Sequence, residues 1–253
     1  MHSESIDTRS GAIRYWRGGK GTPLILLQGG MGDAALNWSR LWDSLAGRYE
    51  VFAPDLPGFG RSAPLRRTTF PALTAWLGGF HEALRLNNPA LVGAEVGAAL
   101  ARTYSATHPQ GCRRLVLISG GGLPTWFQRI GAQLTPVAPP RPKSERLFSR
   151  DRLAQMLVDP GFLTDDFVAA CQESSAIVPM MRQLERGPAP KRLPFAPTLV
   201  VWGERDRIIP PEVGEQVAAD MPGAAFRLLR GCGHLPHIES PSLTTDALFA
   251  FLG

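Results

Sequence analysis

Two glycines flank a carboxylate in Gly93-Ala94-Glu95-Val96-Gly97, directly after the apolar pair Leu91-Val92. This spacing suits a sharp turn from a strand into a helix, because glycines let two backbones approach closely while the residue at the tip is held in strained geometry. Glu95 is therefore expected at the exposed tip of such a turn. A helix starting at Val96 places its unpaired amides and positive dipole end beside that carboxylate. Farther along, Asp206 follows the apolar run Leu199–Trp202, and His234 sits in the glycine-rich loop Gly231-Cys232-Gly233-His234. A glutamate and a histidine together hold two titrating groups near one substrate atom, which is what proton-transfer catalysis needs. Asp206 is expected to hold the imidazole by its Nδ1–H and leave Nε2 facing Glu95.

The elements that must position these residues follow from the hydrophobic pattern. Short apolar runs at Leu24–Leu27, Val51–Ala53, Leu91–Val92, Leu115–Ile118, Leu199–Trp202 and Ala225–Leu229 are bounded by turn residues. They alternate with helical spacing over 38–46, 70–86, 96–108, 212–220 and 242–252, which predicts crossover units on a parallel sheet. Residues 3–17 alternate around Ser10-Gly11 and predict an antiparallel hairpin at the sheet edge. The order breaks once, over 121–195, where a proline-rich stretch (Pro136, Pro139, Pro140, Pro142) joins several helical patterns without a convincing strand. Those residues are expected to cap the carboxyl ends of the strands, the edge at which open α/β sheets bind ligands. Residues 1–120 and 196–253 then form the core. His81 and His108 fall on helical patterns and are expected to be packing or surface residues.

At 253 residues the chain can bury one large core. Its 27 basic residues outnumber 22 acidic ones, yet all but Lys20, Lys143 and Lys191 are Arg and no block of like charge exists. A nucleic-acid partner is not expected. Cys112, Cys171 and Cys232 are odd in number and lack metal-ligand spacing, which points to buried free thiols in a reducing compartment. The N-terminal residues are polar and acidic, and no apolar run approaches the roughly 18 residues of a membrane span. A cytoplasmic protein without metal or organic cofactor is the expectation.

Five stretches, in this order, resemble the α/β-hydrolase superfamily across nearly the whole chain: Leu26-Leu27-Gln28-Gly29-Gly30-Met31-Gly32, Ala53-Pro54-Asp55-Leu56-Pro57-Gly58-Phe59-Gly60-Arg61-Ser62, Leu91 to Gly97, Val201-Trp202-Gly203-Glu204-Arg205-Asp206, and Gly231-Cys232-Gly233-His234-Leu235-Pro236. The resemblance implies an α/β-hydrolase fold: a mostly parallel twisted sheet, helices on both faces and an inserted helical cap. It also implies a triad in the chain order tip residue, acid, histidine, with an oxyanion site formed by the N–H groups of Met31 and Val96. No acidic residue follows Leu115–Ile118, where some members keep the acid, so Asp206 is the expected acid. The sequence departs from the family pattern in two places. Glu95 stands where Gly-x-Ser-x-Gly carries its serine, and Gln28 stands where the family usually has His. Ala94 also replaces a bulkier residue and leaves space beside the tip.

A carboxylate cannot do the acyl transfer of an alkoxide, and several readings stay open. The first is proton transfer by Glu95 and His234 in a cyclisation, elimination, isomerisation or C–C cleavage. The second is covalent catalysis by carboxylate, as in haloalkane dehalogenases and epoxide hydrolases. It is disfavoured because residue 96 is Val rather than Trp, and Tyr15, Tyr49 and Tyr104 all lie outside the cap. The third has the carboxylate folding into its own oxyanion site, making the chain a ligand-binding or scaffold member of the fold. A fourth uses another serine, with Ser119 nearest but without the flanking turn geometry. The expected substrate is a small, largely apolar organic molecule lined by Gly30, Trp38, Trp126 and Phe127. Bases at 141, 143, 146, 150 and 152 read first as solvated surface. Their sharper reading is attraction of an acidic or carrier-bound substrate.

Overall fold

Eight strands form one sheet in the order β1-β2-β4-β3-β5-β6-β7-β8 in the computed structural model, which describes residues 1–121, 148–173, 176–186 and 192–253. The strands are β1 (His2–Thr8), β2 (Gly11–Gly18), β3 (Thr22–Leu27), β4 (Tyr49–Pro54), β5 (Ala90–Ala94), β6 (Arg114–Ile118), β7 (Thr198–Gly203) and β8 (Ala225–Leu229). The pairings β1–β2 and β2–β4 are antiparallel, and every other pairing is parallel. The apolar runs of the central strands β5 and β7 are buried at every position, as strands covered on both faces must be. The alternating residues 3–17 form the β1–β2 hairpin at the sheet edge, turning where Thr8 pairs with Gly11.

Helices α1 (Ala34–Trp38), α2 (Trp42–Ala46), α3 (Phe70–Leu84), α4 (Glu95–Thr107), α5 (Arg150–Met156), α6 (Asp165–Gln172), α7 (Ile177–Arg186), α8 (Pro211–Ala219), α9 (Pro236–Glu239) and α10 (Pro241–Leu252) complete the described elements. The single helix expected over 38–46 is two helices separated by a 3-10 turn at Ser39–Leu41. Asp33 accounts for the early start, since its Oδ1 accepts the Leu36 N–H at 2.9 Å and caps α1. Between β6 and β7 the described residues form α5, α6 and α7 and contain no strand. The proline-rich 136–142 lies outside the described residues.

The period-two alternation of strand side chains splits the core into two layers. Ile25, Leu27, Val200 and Trp202 face one way and pack with Trp76 and Phe80 of α3, Tyr104 of α4, and Leu153, Cys171 and Ile177 of the helical insertion. Leu24, Leu26, Leu199 and Val201 face the other way and pack with Trp38, Leu41, Leu248 and Leu252. Each fully buried aliphatic side chain contributes about 1.5–3 kcal/mol, so both layers contribute substantially to stability.

A tight backbone contact lies where α4 presses on β3. A Cβ at Gly97 would strike the carbonyl oxygens of Leu27 and Gln28, and one at Gly93 would strike the backbone of Gly97 and Ala98. Gly78, inside α3, is different, since the nearest atom to a Cβ there is Tyr104 Cε2 at 3.9 Å. In urea unfolding, Gly97→Ala is expected to destabilise by about 1–3 kcal/mol. Gly78→Ala is expected to stabilise by about 0.5–1 kcal/mol in the same measurement.

Candidate active site

Turns that leave the carboxyl ends of the strands carry the candidate acid, histidine, tip residue and oxyanion loop. Gln28 to Gly32 follow β3, Asp55 follows β4, Glu95 follows β5, Asp206 follows β7 and His234 follows β8. Glu95 opens α4 with a φ of +48°. A non-glycine residue in the left-handed region costs about 1–2 kcal/mol, so packing must hold it there. Part of that packing is Gly120, where a Cβ would collide with the Glu95 backbone.

The Glu95 side chain lies over the β3 loop. Its Oε2 accepts the Gly30 N–H at 3.0 Å, and a Cβ at Gly29 would stand 2.9 Å from Glu95 Cδ. A Glu95 oxygen folded back into the oxyanion site is expected on the amides of Met31 and Val96, with Gly30 as a substrate contact; the amide that reaches Oε2 is that of Gly30. Asn37 sets this geometry. Its Oδ1 accepts the Gly29 N–H at 2.9 Å, while its Nδ2 donates to the carbonyls of Met31 at 2.8 Å and Asp33 at 2.9 Å. Gln28 is fully buried, donating from Nε2 to the Gly32 carbonyl and accepting the Leu56 N–H. The loop is thus pinned from within before any ligand arrives.

Glu95 Oε1 is buried and has no hydrogen-bond donor among the described residues. It faces His234 Nε2 at 4.0 Å, beyond hydrogen-bond distance. On the other side of the ring, His234 Nδ1 lies 2.7 Å from Asp206 Oδ2, and Asp206 Oδ1 accepts the amides of Ile208 and Ile209 at 2.9 Å each. Burial alone would lower the proton affinity of His234. The Asp206 hydrogen bond and charge, joined by the Glu95 charge, outweigh burial and hold the imidazole above its ordinary range. Cys171, beside Met31, is the reverse case, because burial and then the Glu95 charge push its thiol up to about 12.

The His234 loop is tied to the insertion by backbone contacts. The His234 N–H donates to the Met156 carbonyl at 2.7 Å. Glu239 Oε2 accepts the Gly233 N–H at 2.6 Å, and its Oε1 accepts the amides of Val158 and Asp159. Ile177 of α7 covers Gly30, its Cδ1 lying 2.8 Å from where a Cβ would stand.

Glu95, His234, Asp206 and Gly30 are therefore brought together. Trp38 is not with them: it is fully buried in the layer opposite the insertion, its ring 5.0 Å from that of His237, because the early start of α1 turns it into the core. Trp126 and Phe127 lie outside the described residues, as do positions 141, 143 and 146. Arg150 is exposed and paired with Asp165, and Arg152 is exposed. Ser119, read as lacking turn geometry, has a φ of +47° and a buried hydroxyl without a partner among the described residues. Asn37 and Glu239 were missed altogether. Among the described residues no cluster of His, Cys, Asp and Glu suits a metal ion.

Comparison with known proteins agrees with this fold. The family model for the alpha/beta hydrolase fold matches residues 22–241, and the chain belongs to that family. Among its relatives, the 2-hydroxy-6-oxo-6-(2'-aminophenyl)hexa-2,4-dienoic acid hydrolase of Metapseudomonas resinovorans is 30% identical over 260 residues, covering 94% of this chain and 87% of the relative. Lipase 3 of Moraxella sp. (strain TA144) is 26% identical, covering 91% of this chain and 77% of the relative. A putative lipase from Acinetobacter baumannii AYE matches with a TM-score of 0.83 at 24% identity, over 99% of this chain and 90% of that one, a likeness of fold. No described helix is long and apolar enough to cross a membrane.

Acid should weaken the fold through two buried histidines. Burial, aided by the charge of a neighbouring histidine in each case, pushes His81 down to about 4 and His237 down to about 3. The unfolded chain takes up protons at both from about pH 6.5 downward while the folded chain does not, so stability falls with pH. His234 acts in the opposite sense, its contribution complete below about pH 6.5 and lost as pH rises through its raised folded value. His237→Leu should reduce the slope of unfolding free energy against pH by up to about 1.4 kcal/mol per unit between about pH 4 and 6, read from urea melts.

Proposed function

We propose that this chain is an enzyme acting on a small, largely apolar organic molecule, with Glu95 and His234 exchanging protons with one substrate atom. The reaction class is elimination, cyclisation, isomerisation or C–C cleavage rather than serine acyl transfer, and no cofactor takes part. Residues 121–195 act as the cap over the site. The observation that carries this reading is the facing pair of Glu95 Oε1 and His234 Nε2, 4.0 Å apart. One substrate atom between them touches a carboxylate and an imidazole at once, and Asp206 orients the ring for that contact. The family relatives support a small organic substrate: one is named for a dienoic acid and another is a lipase.

A second reading is favoured by the bond from Gly30 to Glu95 Oε2, since the carboxylate then fills the anion site itself and the chain binds ligand without turnover. The retained Asp206–His234 unit argues for chemistry, because a binder has no use for an oriented imidazole of raised proton affinity.

A serine-directed fluorophosphonate is expected not to label the protein, and stoichiometric labelling would remove Glu95 from the centre of the mechanism. On a substrate found by screening, Glu95→Gln and His234→Ala should each lower kcat/KM by about 10²–10⁴-fold with the fold intact. Full activity in both variants would overturn the proton-transfer reading, whereas finding no substrate that is turned over would leave the binding reading standing. Turnover in heavy-oxygen water should leave the Glu95 carboxylate unlabelled, whereas incorporated label would show that Glu95 attacks covalently.

A further inference from the structure

We infer that the slot between Glu95 and His234 is a hydroxyl subsite: the ligand places an O–H oxygen there, which donates to Glu95 Oε1 and accepts from His234 Nε2–H. The inference rests on the reading that both residues share one ligand atom, and it names the chemistry of that atom.

The orientation of Glu95 is the starting point. Oε2 is committed to the Gly30 amide and the carboxylate lies against Gly29, so Oε1 is left pointing at the imidazole. That oxygen is buried and receives no donor among the described residues, although a buried carboxylate oxygen calls for one. The gap is the right width for a single atom. An oxygen at about 2.7–2.8 Å from each partner, across the 4.0 Å separation, subtends an angle of roughly 90–95°, near the tetrahedral spread of a hydroxyl's hydrogen and lone pairs.

The two partners also differ in what they accept. Asp206 Oδ2 at Nδ1 and Glu95 Oε1 facing Nε2 put a carboxylate on each side of the ring and favour a proton on both nitrogens, and with Nε2 protonated the slot presents one acceptor and one donor. A ketone or ester oxygen only accepts and would meet Oε1 lone pair to lone pair. An ammonium only donates and would meet the Nε2–H head on. A carboxylate is repelled by Glu95, whose own oxygen already holds the Gly30 amide. A hydroxyl or enol does both jobs. The surroundings are apolar, with Ile177 over Gly30 and Met31 against the neutral Cys171 thiol, so the group bearing that hydroxyl is hydrophobic.

The test uses the full chain labelled with nitrogen-15 in its histidines, following the His234 ring during titration with benzyl alcohol, benzyl methyl ether, benzylamine and benzoate. Benzyl alcohol should give a saturable shift of Nε2, with the ether, amine and acid each at least about tenfold weaker. Glu95→Gly, which relieves the positive φ while removing the carboxylate, should reduce the preference for alcohol over ether to less than about twofold. Equal binding of alcohol and ether, preference for amine or benzoate, or no saturable His234 shift up to the solubility limit of the alcohol overturns the subsite. If the alcohol binds as stated yet no hydroxyl compound is turned over, the proton-transfer reading fails and the subsite stands. If a substrate without a hydroxyl is turned over in a Glu95-dependent way, the subsite fails and that reading stands.

Discussion

At Glu95 the backbone passes from β5 into α4 through a left-handed conformation, and the close approach of three chain segments holds it there. Glycines at 93 and 97 let α4 descend onto the carbonyls of β3, and Gly120 lets the β6 turn close in from the other side. Because β5 lies between β3 and β6, the turn is gripped along both edges. The direction of the Glu95 side chain follows from this grip. So does the distance to the imidazole, which arrives from a loop two strands farther along the sheet than β6.

The imidazole stands between two carboxylates that are treated differently. Asp206 has both oxygens occupied, one by the histidine and one by two backbone amides. Glu95 has one oxygen occupied and one left to face the ring. A satisfied carboxylate orients and stabilises charge, whereas a half-satisfied one remains available to a ligand. Environment alone therefore distinguishes the two carboxylates, although both side chains carry the same functional group.

Much of this arrangement was legible in the residues. The buried strands announce themselves as short apolar runs because parallel strands covered on both faces have no polar side to display. The pairing of Asp206 with His234 was readable because each follows a strand and the chain order matches the family pattern. What was not legible depends on main-chain direction. The amide that meets Glu95 belongs to Gly30 because Asn37 turns the neighbouring peptide groups toward itself. Trp38 looked like a pocket wall from its place after the loop, but Asp33 starts α1 early and rotates that ring into the core. The partners of Glu239 are backbone amides, two of them some 80 residues upstream, and no pattern of residue types records such a contact.

That glutamate has a mechanical consequence. Glu239, with the Met156 carbonyl, fastens the backbone of 156–159 to that of Gly233 and His234, so these two stretches form a single stiff body. A doorway that hinged open along this stretch would drag the imidazole off its station beside Asp206. Displacement of residues 156–159 and the position of the imidazole beside Asp206 are therefore mechanically coupled.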